Sequence, residues 1–153
     1  MTSLRERFTG DLKEAMKAGE KGRVAAIRLI QAALKDKDIE ARGAGKGEAS
    51  AEEILALLQK MIKQRQESIA IYDANNRPEL ADGERAEVAV ISAYLPQQMS
   101  DEEIKAAIEE VIAETGATAV KDMGKVIGVL RAAYAGQMDF GKVSPMVKAA
   151  LGG

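Results

Sequence analysis

The 153-residue sequence contains no cysteine, no histidine and no tryptophan, and only 3% of its residues are aromatic. Without cysteine the chain can form neither a disulfide nor a thiolate metal site, and it offers no thiol nucleophile. Without histidine it lacks the commonest general base and the commonest metal ligand of proteins. We therefore predict that the chain has no catalytic residue, no metal site and no cofactor.

An excess of charge of one sign is also missing, because 22 basic residues face 24 acidic ones and the net charge is −2. No global field attracts nucleic acid or an anionic membrane, so any RNA contact must be a local patch. No apolar run approaches the roughly 20 residues of a membrane span. The opening segment MTSLRERF mixes Arg with Glu where a signal peptide would become apolar, and we predict a cytoplasmic location without a membrane partner.

Helix-forming residues dominate what remains, and the sequence repeats one helix-start signal three times. The signal is Ser followed three residues later by Glu, the capping box that satisfies unpaired N–H groups of a first helical turn. It occurs at Ser3 with Glu6, Ser50 with Glu53, and Ser100 with Glu103. Each occurrence predicts the start of a helix.

Apolar residues at helical spacing predict seven helices and no strand. Met16 falls on the apolar stripe of the first helix, Leu80 on that of the fourth, and Leu29 is a further candidate for the inward face of the second. The predicted helices run from Leu4 to Gly19, from about Arg23 to Ala41, from Ser50 to about Asn75, from Pro78 to Leu95, from Ser100 to Gly116, from an Asp122 cap to Gly136, and from Ser144-Pro145 through Leu151.

The segment YLPQQMS reads as a hinge, because the residue before Pro96 is driven out of the helical region. The hinge predicts an all-α protein with two parts. Residues 1–95 form an N-terminal four-helix, hairpin-like domain, and residues 96–153 form a small C-terminal three-helix domain. The partner and the oligomeric state are not indicated by any of these patterns.

Four glycines punctuate the tail KDMGKVIGVLRAAYAGQMDFGKVSPMVKAAL, residues 121–151. Gly124 and Gly128 lie four residues apart on one helical face and form a bare strip. One interpretation is tight packing of the sixth helix on the fifth or seventh. The other is the approach of a phosphate backbone or a partner chain. Gly136 and Gly141 flank the turn AGQMDFG, where a positive φ is the ordinary reason for glycine.

Two groups of basic residues are candidates for a local RNA patch. Lys60 and Lys63 share a face of the third helix, with Arg65 on the opposite side. A second group, Lys121, Lys125 and Lys142, is expected to gather around the tail turn. The alternative is that these residues only form solvated, charged helix faces without a binding role. No aromatic residues are interleaved with them, so any RNA contact should be to phosphate and shape.

The tail, the segment KMIKQRQESIAIYDANNRPELADGE and the YLP junction together resemble the GatB/YqeY family, and the similarity covers nearly the whole chain. The order of these segments is similar to that of a stand-alone YqeY-like protein. The tail departs from the family pattern at Ile127, where Met often precedes the glycine, and at Phe140, where a small residue is common. The positions that match are Lys121, Asp122, Gly124, Lys125, Gly128, Gly136 and Asp139.

The resemblance implies an all-helical protein related to the C-terminal tail region of the B subunit of the tRNA-dependent amidotransferase. It implies a non-catalytic module that contacts tRNA or an aminoacyl-tRNA amidation complex, with Asp122, Gly124, Gly128, Gly136 and Asp139 on the interaction surface. Two alternatives stay open. One is a protein–protein interaction module without an RNA role; the other is a carbon–nitrogen ligase, with glutamine as amido-N-donor, that is active only with partner subunits.

We predict that the isolated protein does not release ammonia from glutamine, because the sequence offers no Cys or His to form the usual activated nucleophile and base. An ammonia-release assay on the purified chain tests this. Glutaminase activity that co-purifies with the protein and disappears when one of its own residues is replaced would contradict the prediction.

Overall fold

The structure, a computed structural model, describes residues 2–152, and these form seven α-helices and one 3-10 turn. No strand is found among them, so the predicted all-α fold class is confirmed. The 3-10 turn covers Val120–Asp122 and leads directly into the sixth helix. The helices are α1 (Leu4–Ala18), α2 (Lys21–Gly43), α3 (Ala51–Ala74), α4 (Pro78–Ser92), α5 (Asp101–Thr115), α6 (Met123–Tyr134) and α7 (Phe140–Ala150).

Packing divides the chain into two compact units that separate between Leu95 and Pro96. Unit 1 contains α1 to α4, and unit 2 contains α5 to α7. We propose that they are the two domains 1–95 and 96–153, of which positions 1 and 153 lie outside the described residues. The core of unit 1 includes Phe8, Ile27, Ile30, Leu58 and Ile91. The core of unit 2 includes Ile108, Val126, Leu130, Met138, Val143 and Val147.

The helix ends follow the local signals of the sequence. Ser50 and Ser100 each form the complete capping box, with the Ser Oγ accepting the N–H of the Glu and the Glu carboxylate accepting the N–H of the Ser. At Ser3 the hydroxyl oxygen accepts the Glu6 N–H at 3.1 Å. The predicted starts of α1, α3 and α5 are therefore confirmed, because capping depends on groups within one helical turn.

The predicted start of α7 at Ser144-Pro145 is wrong, because the helix begins four residues earlier at Phe140. Asp139 caps it, its carboxylate accepting the Gly141 N–H at 2.9 Å. Pro145 therefore lies inside the helix, where it removes one backbone hydrogen bond. Burial of Val143 and Val147 in the core of unit 2 offsets that loss. The positive φ predicted for Gly141 is also wrong, since Gly141 belongs to the first turn of α7.

Three apolar residues assigned to inward faces are exposed instead. The exposed fractions are 53% for Met16, 43% for Leu29 and 43% for Leu80. Met16 lies at the edge of the apolar stripe of α1, and Leu80 lies in the first turn of α4, so helical spacing alone does not decide which apolar residues the core covers. Leu29 lies on the outer side of α2, whereas Ile27 and Ile30 on either side of it in sequence are fully buried.

A charged network joins the start of α1 to the segment that follows α2. The Arg5 guanidinium donates two hydrogen bonds to the Asp38 carboxylate, at 2.8 and 2.7 Å, and a third to the Ala49 carbonyl at 3.0 Å. The Ala49 N–H in turn donates to Asp38 at 2.9 Å. These bonds, that of Arg5 foremost, lower the pKa of Asp38 from 3.8 to about 2. The network holds the segment Ala44–Ala49 against α2.

We predict that Asp38→Asn lowers the free energy of unfolding at neutral pH by about 2 kcal/mol, because it breaks charge-assisted bonds to a half-buried partner. Since the folded-state pKa lies below the unfolded one, the stabilisation is full above pH 3.8 and is lost as the pH falls to about 2. Urea unfolding of both proteins across this range measures the effect. Glu14→Gln, which neutralises an exposed carboxylate of α1, is the control; an equal loss in both variants would contradict the prediction.

Candidate nucleic-acid interface

The helix α6 buries one side and exposes the other. Val126 and Leu130 are fully buried in the core of unit 2, whereas Gly124 and Gly128 are exposed. Beyond the adjoining residues and the backbone of α6 itself, a Cβ atom added to either glycine would meet nothing within 4 Å in the described part of the chain. The interpretation that these glycines permit tight packing of the sixth helix on the fifth or seventh is therefore wrong. Packing of α6 uses its opposite, apolar side, and the glycine strip faces open space.

Three cations border this strip. Lys121, in the 3-10 turn, and Lys125, one residue beyond Gly124, are both exposed. The Lys125 Nζ lies 3.5 Å from the Thr115 carbonyl at the end of α5. Arg131 follows Gly128 by three residues and so returns to the same side of the helix. We call the exposed set Lys121, Gly124, Lys125, Gly128 and Arg131 the α6 face.

Arg131 is absent from the candidate residues predicted from sequence. Its spacing of seven residues from Gly124, two helical turns, was the signal that could have identified it. Its guanidinium carbon lies 5.3 Å from the centroid of the Phe140 ring. This cation–π contact positions the guanidinium of an otherwise mobile side chain and leaves Arg131 exposed. Phe140, the bulky departure from the family pattern, thus has a structural role beside the α6 face.

The sequence predicted that Asp122 caps α6, but its side chain makes no capping hydrogen bond to that helix. Its carboxylate instead accepts the backbone N–H groups of Thr118 and Ala119, at 3.0 and 3.3 Å, and closes the turn before α6. The bond from Thr118 lowers the pKa of Asp122. The reason for the difference is the 3-10 turn Val120–Asp122, which shifts the carboxylate towards the residues before it. Asp122 therefore shapes the approach to the α6 face.

Lys142 is not brought together with Lys121 and Lys125. Its Nζ donates to the Asp101 carboxylate at 2.6 Å, and this bond raises the pKa of Lys142. Asp101 begins α5, whereas Lys125 approaches the carbonyl at its far end. The two ends are separated by roughly 21 Å, given a rise of about 1.5 Å per residue. The expected cluster around the tail turn is thus divided, and the Lys142 charge is paired.

Gly136 and Asp139 belong to the turn between α6 and α7. Gly136 is buried with a φ of 78°, which confirms the positive φ predicted for it. Its carbonyl accepts the Gln98 amide at 2.6 Å, so this turn is bonded to the segment that precedes α5. Asp139 caps α7. Both residues hold the architecture of unit 2, and neither lies on the α6 face.

The second basic group lies on α3 in unit 1, so it is described separately from the α6 face. Lys60 and Lys63 are exposed there, three residues apart. Arg65 points towards α4, where its Nε donates to Glu87 at 2.7 Å and lies 3.9 Å from Glu84. The Arg65 side chain is only 15% exposed, and its charge ties α3 to α4. The predicted separation of Arg65 from the two lysines is therefore confirmed.

Groups suited to chemistry are not assembled around the α6 face. Among residues 2–152 no three acidic side chains are grouped so that they could hold a metal ion. The large pKa shifts occur in unit 1, at Asp38 and at Tyr94. Burial raises the pKa of the Tyr94 hydroxyl, which donates to Asp11 at 2.6 Å while its ring packs edge-on against Phe8. Both shifts arise from structural contacts.

Helices long and apolar enough to cross a membrane were not found in the described residues. The chain matches the family described as Yqey-like protein over residues 5–151.

Among curated proteins the chain is similar to Altered inheritance of mitochondria protein 41, mitochondrial, of three yeasts. It is 35% identical to the Lachancea thermotolerans protein over 106 residues, which cover 68% of this chain and 55% of that protein. Identity to the Vanderwaltozyma polyspora protein is 30% over 120 residues, covering 74% and 63%. For the Saccharomyces cerevisiae protein it is 36% over 88 residues, covering 58% and 46%. The chain thus spans about half the length of these curated relatives.

We predict that Gly128→Ala stabilises the protein by about 1 kcal/mol, because the added methyl meets no neighbour and alanine is the better helix former. Thermal unfolding should show a higher melting temperature. Gly136→Ala is the matched comparison and should be destabilised, since its φ of 78° disfavours any side chain. A lower melting temperature for Gly128→Ala would show that the strip is packed after all.

Proposed function

This chain belongs to the YqeY-like protein family, and on that premise we propose that it is a non-catalytic module that binds tRNA through the α6 face. The observation that carries the proposal is the open glycine strip bordered by cations: beyond the adjoining residues and the backbone of α6 itself, no described atom lies within 4 Å of an added Cβ at Gly124 or Gly128. The tail resembles that of the B subunit of the tRNA-dependent amidotransferase, and this family analogy supports tRNA as the ligand.

The physical case starts from the cost of the strip. A glycine in the interior of an exposed helix costs about 1 kcal/mol relative to alanine, and packing within unit 2 does not offset it at Gly128. Without side chains the helix backbone can approach a phosphate group closely. Lys121 and Lys125 on one side and Arg131 on the other then lie within reach of neighbouring phosphates.

Contacts of this kind carry affinity without reading bases. The α6 face offers ammonium and guanidinium groups, which bind phosphate oxygens, and it offers no exposed aromatic ring on which a base could stack. The net charge of −2 adds no long-range attraction. We therefore expect modest, strongly salt-dependent affinity that differs little between tRNA species. Lys60 and Lys63 on α3 are proposed as a secondary phosphate contact, since both are exposed.

The same open strip supports a second candidate, a protein–protein interaction module without an RNA role. Small residues four apart allow two helices to pack with their backbones close together. The carbon–nitrogen ligase activity implied by the family resemblance stays a third candidate, limited to a complex in which partner subunits supply the chemistry. We also propose a cytoplasmic location for this chain, although the yeast relatives carry the word mitochondrial in their names.

We predict that Lys121→Ala combined with Lys125→Ala weakens tRNA binding roughly tenfold at low salt, because two charge-assisted phosphate contacts are lost. The slope of log affinity against log salt should fall by about two, and the loss should be similar for several tRNA species. Titration of labelled tRNA at several salt concentrations measures both quantities.

The matched control is Lys13→Ala combined with Lys17→Ala, which removes the same charge from exposed positions of α1 at the same spacing. Gly128→Leu should also weaken binding while the protein stays folded, and Gly128→Ala should weaken it less. If the α6 double variant binds tRNA no worse than the α1 double variant, the α6 face is not the RNA site. If the wild-type protein binds no tRNA at low salt, the RNA role fails.

A further inference from the structure

The outward side of α2 carries apolar residues that unit 1 does not cover. Leu29 is 43% exposed and Ile39 is 56% exposed, and Ala25 and Ala32 between and beside them are exposed as well. A turn of about 100° per residue places all four within an arc of about 80°. The buried residues of α2, such as Ile30, lie on the opposite side. The helix therefore has a second apolar stripe, which we call the outer α2 stripe.

Two charges flank the centre of this stripe. Arg28 and Asp36 lie four residues before and four residues after Ala32, and both are exposed. Within residues 2–152 neither side chain forms a hydrogen bond or an ion pair. Some other charges of α2 are paired, Arg23 with Glu20 and Lys37 with Glu40. Opposite unpaired charges placed evenly about a central small residue form a self-complementary pattern.

We propose that the outer α2 stripe binds a second copy of this chain in antiparallel orientation, centred near Ala32. A two-fold axis there brings each Arg28 to the level of Asp36 in the other copy, so two Arg–Asp pairs form across the interface. It also sets each Ile39 beside Ala25, a large side chain against a small one. A parallel arrangement would set Arg28 against Arg28 and Asp36 against Asp36, and the repulsion disfavours it.

The size of the contact sets the expected strength. From Ala25 to Ile39 the stripe is roughly 21 Å long, given a rise of about 1.5 Å per residue. One pair of helices over that length gives an interface at or below the lower limit for stable complexes, about 1,200 Å². The chain should therefore be a reversible dimer that dissociates on dilution. The net charge of −2 per chain opposes association only slightly. This proposal uses a different surface from the α6 face and does not depend on tRNA binding.

Sedimentation velocity over a range of protein concentrations tests the dimer. The wild-type protein should shift from monomer to dimer as concentration rises. Leu29→Glu should remove the dimer, because it places two carboxylates within the apolar stripe. Ile71→Glu, a replacement of an exposed isoleucine on α3, should leave it unchanged. A wild-type protein that is monomeric at every concentration would overturn the proposal.

Charge reversal tests the antiparallel register. Arg28→Asp alone and Asp36→Arg alone should each raise the dissociation constant roughly tenfold or more, because each variant replaces two attractive pairs by two repulsive ones. An equimolar mixture of the two variants should form a heterodimer, since both cross-pairs become attractive again. Far-UV circular dichroism confirms that each variant is folded. Dimers unaffected by the single reversals, or a mixture that stays monomeric, would show that another surface or register is used.

Discussion

The burial of Val126 and Leu130 in the core of unit 2 determines which side of α6 meets water. These two side chains are fully buried, and a helix can turn only one side towards its core. Gly124 and Gly128 lie on the other side as a consequence, together with Lys125 and, two turns from Gly124, Arg131. The proposed interface therefore lies on the side of α6 opposite the residues that form the core. Any change that rotates α6 about its axis would bury the cations and disrupt both the core of unit 2 and the proposed interface.

The turns on either side of α6 hold it in that orientation. Before the helix, the Asp122 carboxylate accepts hydrogen bonds from two backbone N–H groups, and these bonds close the turn. After the helix, the Gly136 carbonyl accepts the Gln98 amide, and the Met99 N–H donates to the Gln137 carbonyl. These bonds satisfy polar groups that would otherwise be unpaired. Asp122 and Gly136 therefore hold the turns on either side of α6.

In unit 1 some charges hold the structure and others lie on outward surfaces. Arg5 and Asp38 fasten the segment after α2, and Arg65 joins α3 to α4, with both guanidinium groups at most 30% exposed. Lys60 and Lys63 on α3, and Arg28 and Asp36 on α2, lie on outward surfaces. The distinction follows from solvent access, since a partly buried pair is screened less by water and salt than an exposed charge.

The sequence predicted the all-α fold class, most helix starts, and the helix ends at Gly19 and Gly116. These features are local, because capping and amphipathic spacing act within one or two helical turns. The tertiary structure decided the rest. It paired Lys142 with Asp101, 41 residues away, started α7 at Phe140 despite Pro145, and exposed Leu29 while burying Ile27 and Ile30. It also left Gly124 and Gly128 open. Each of these outcomes depends on what another helix places nearby, and local sequence patterns do not contain that information.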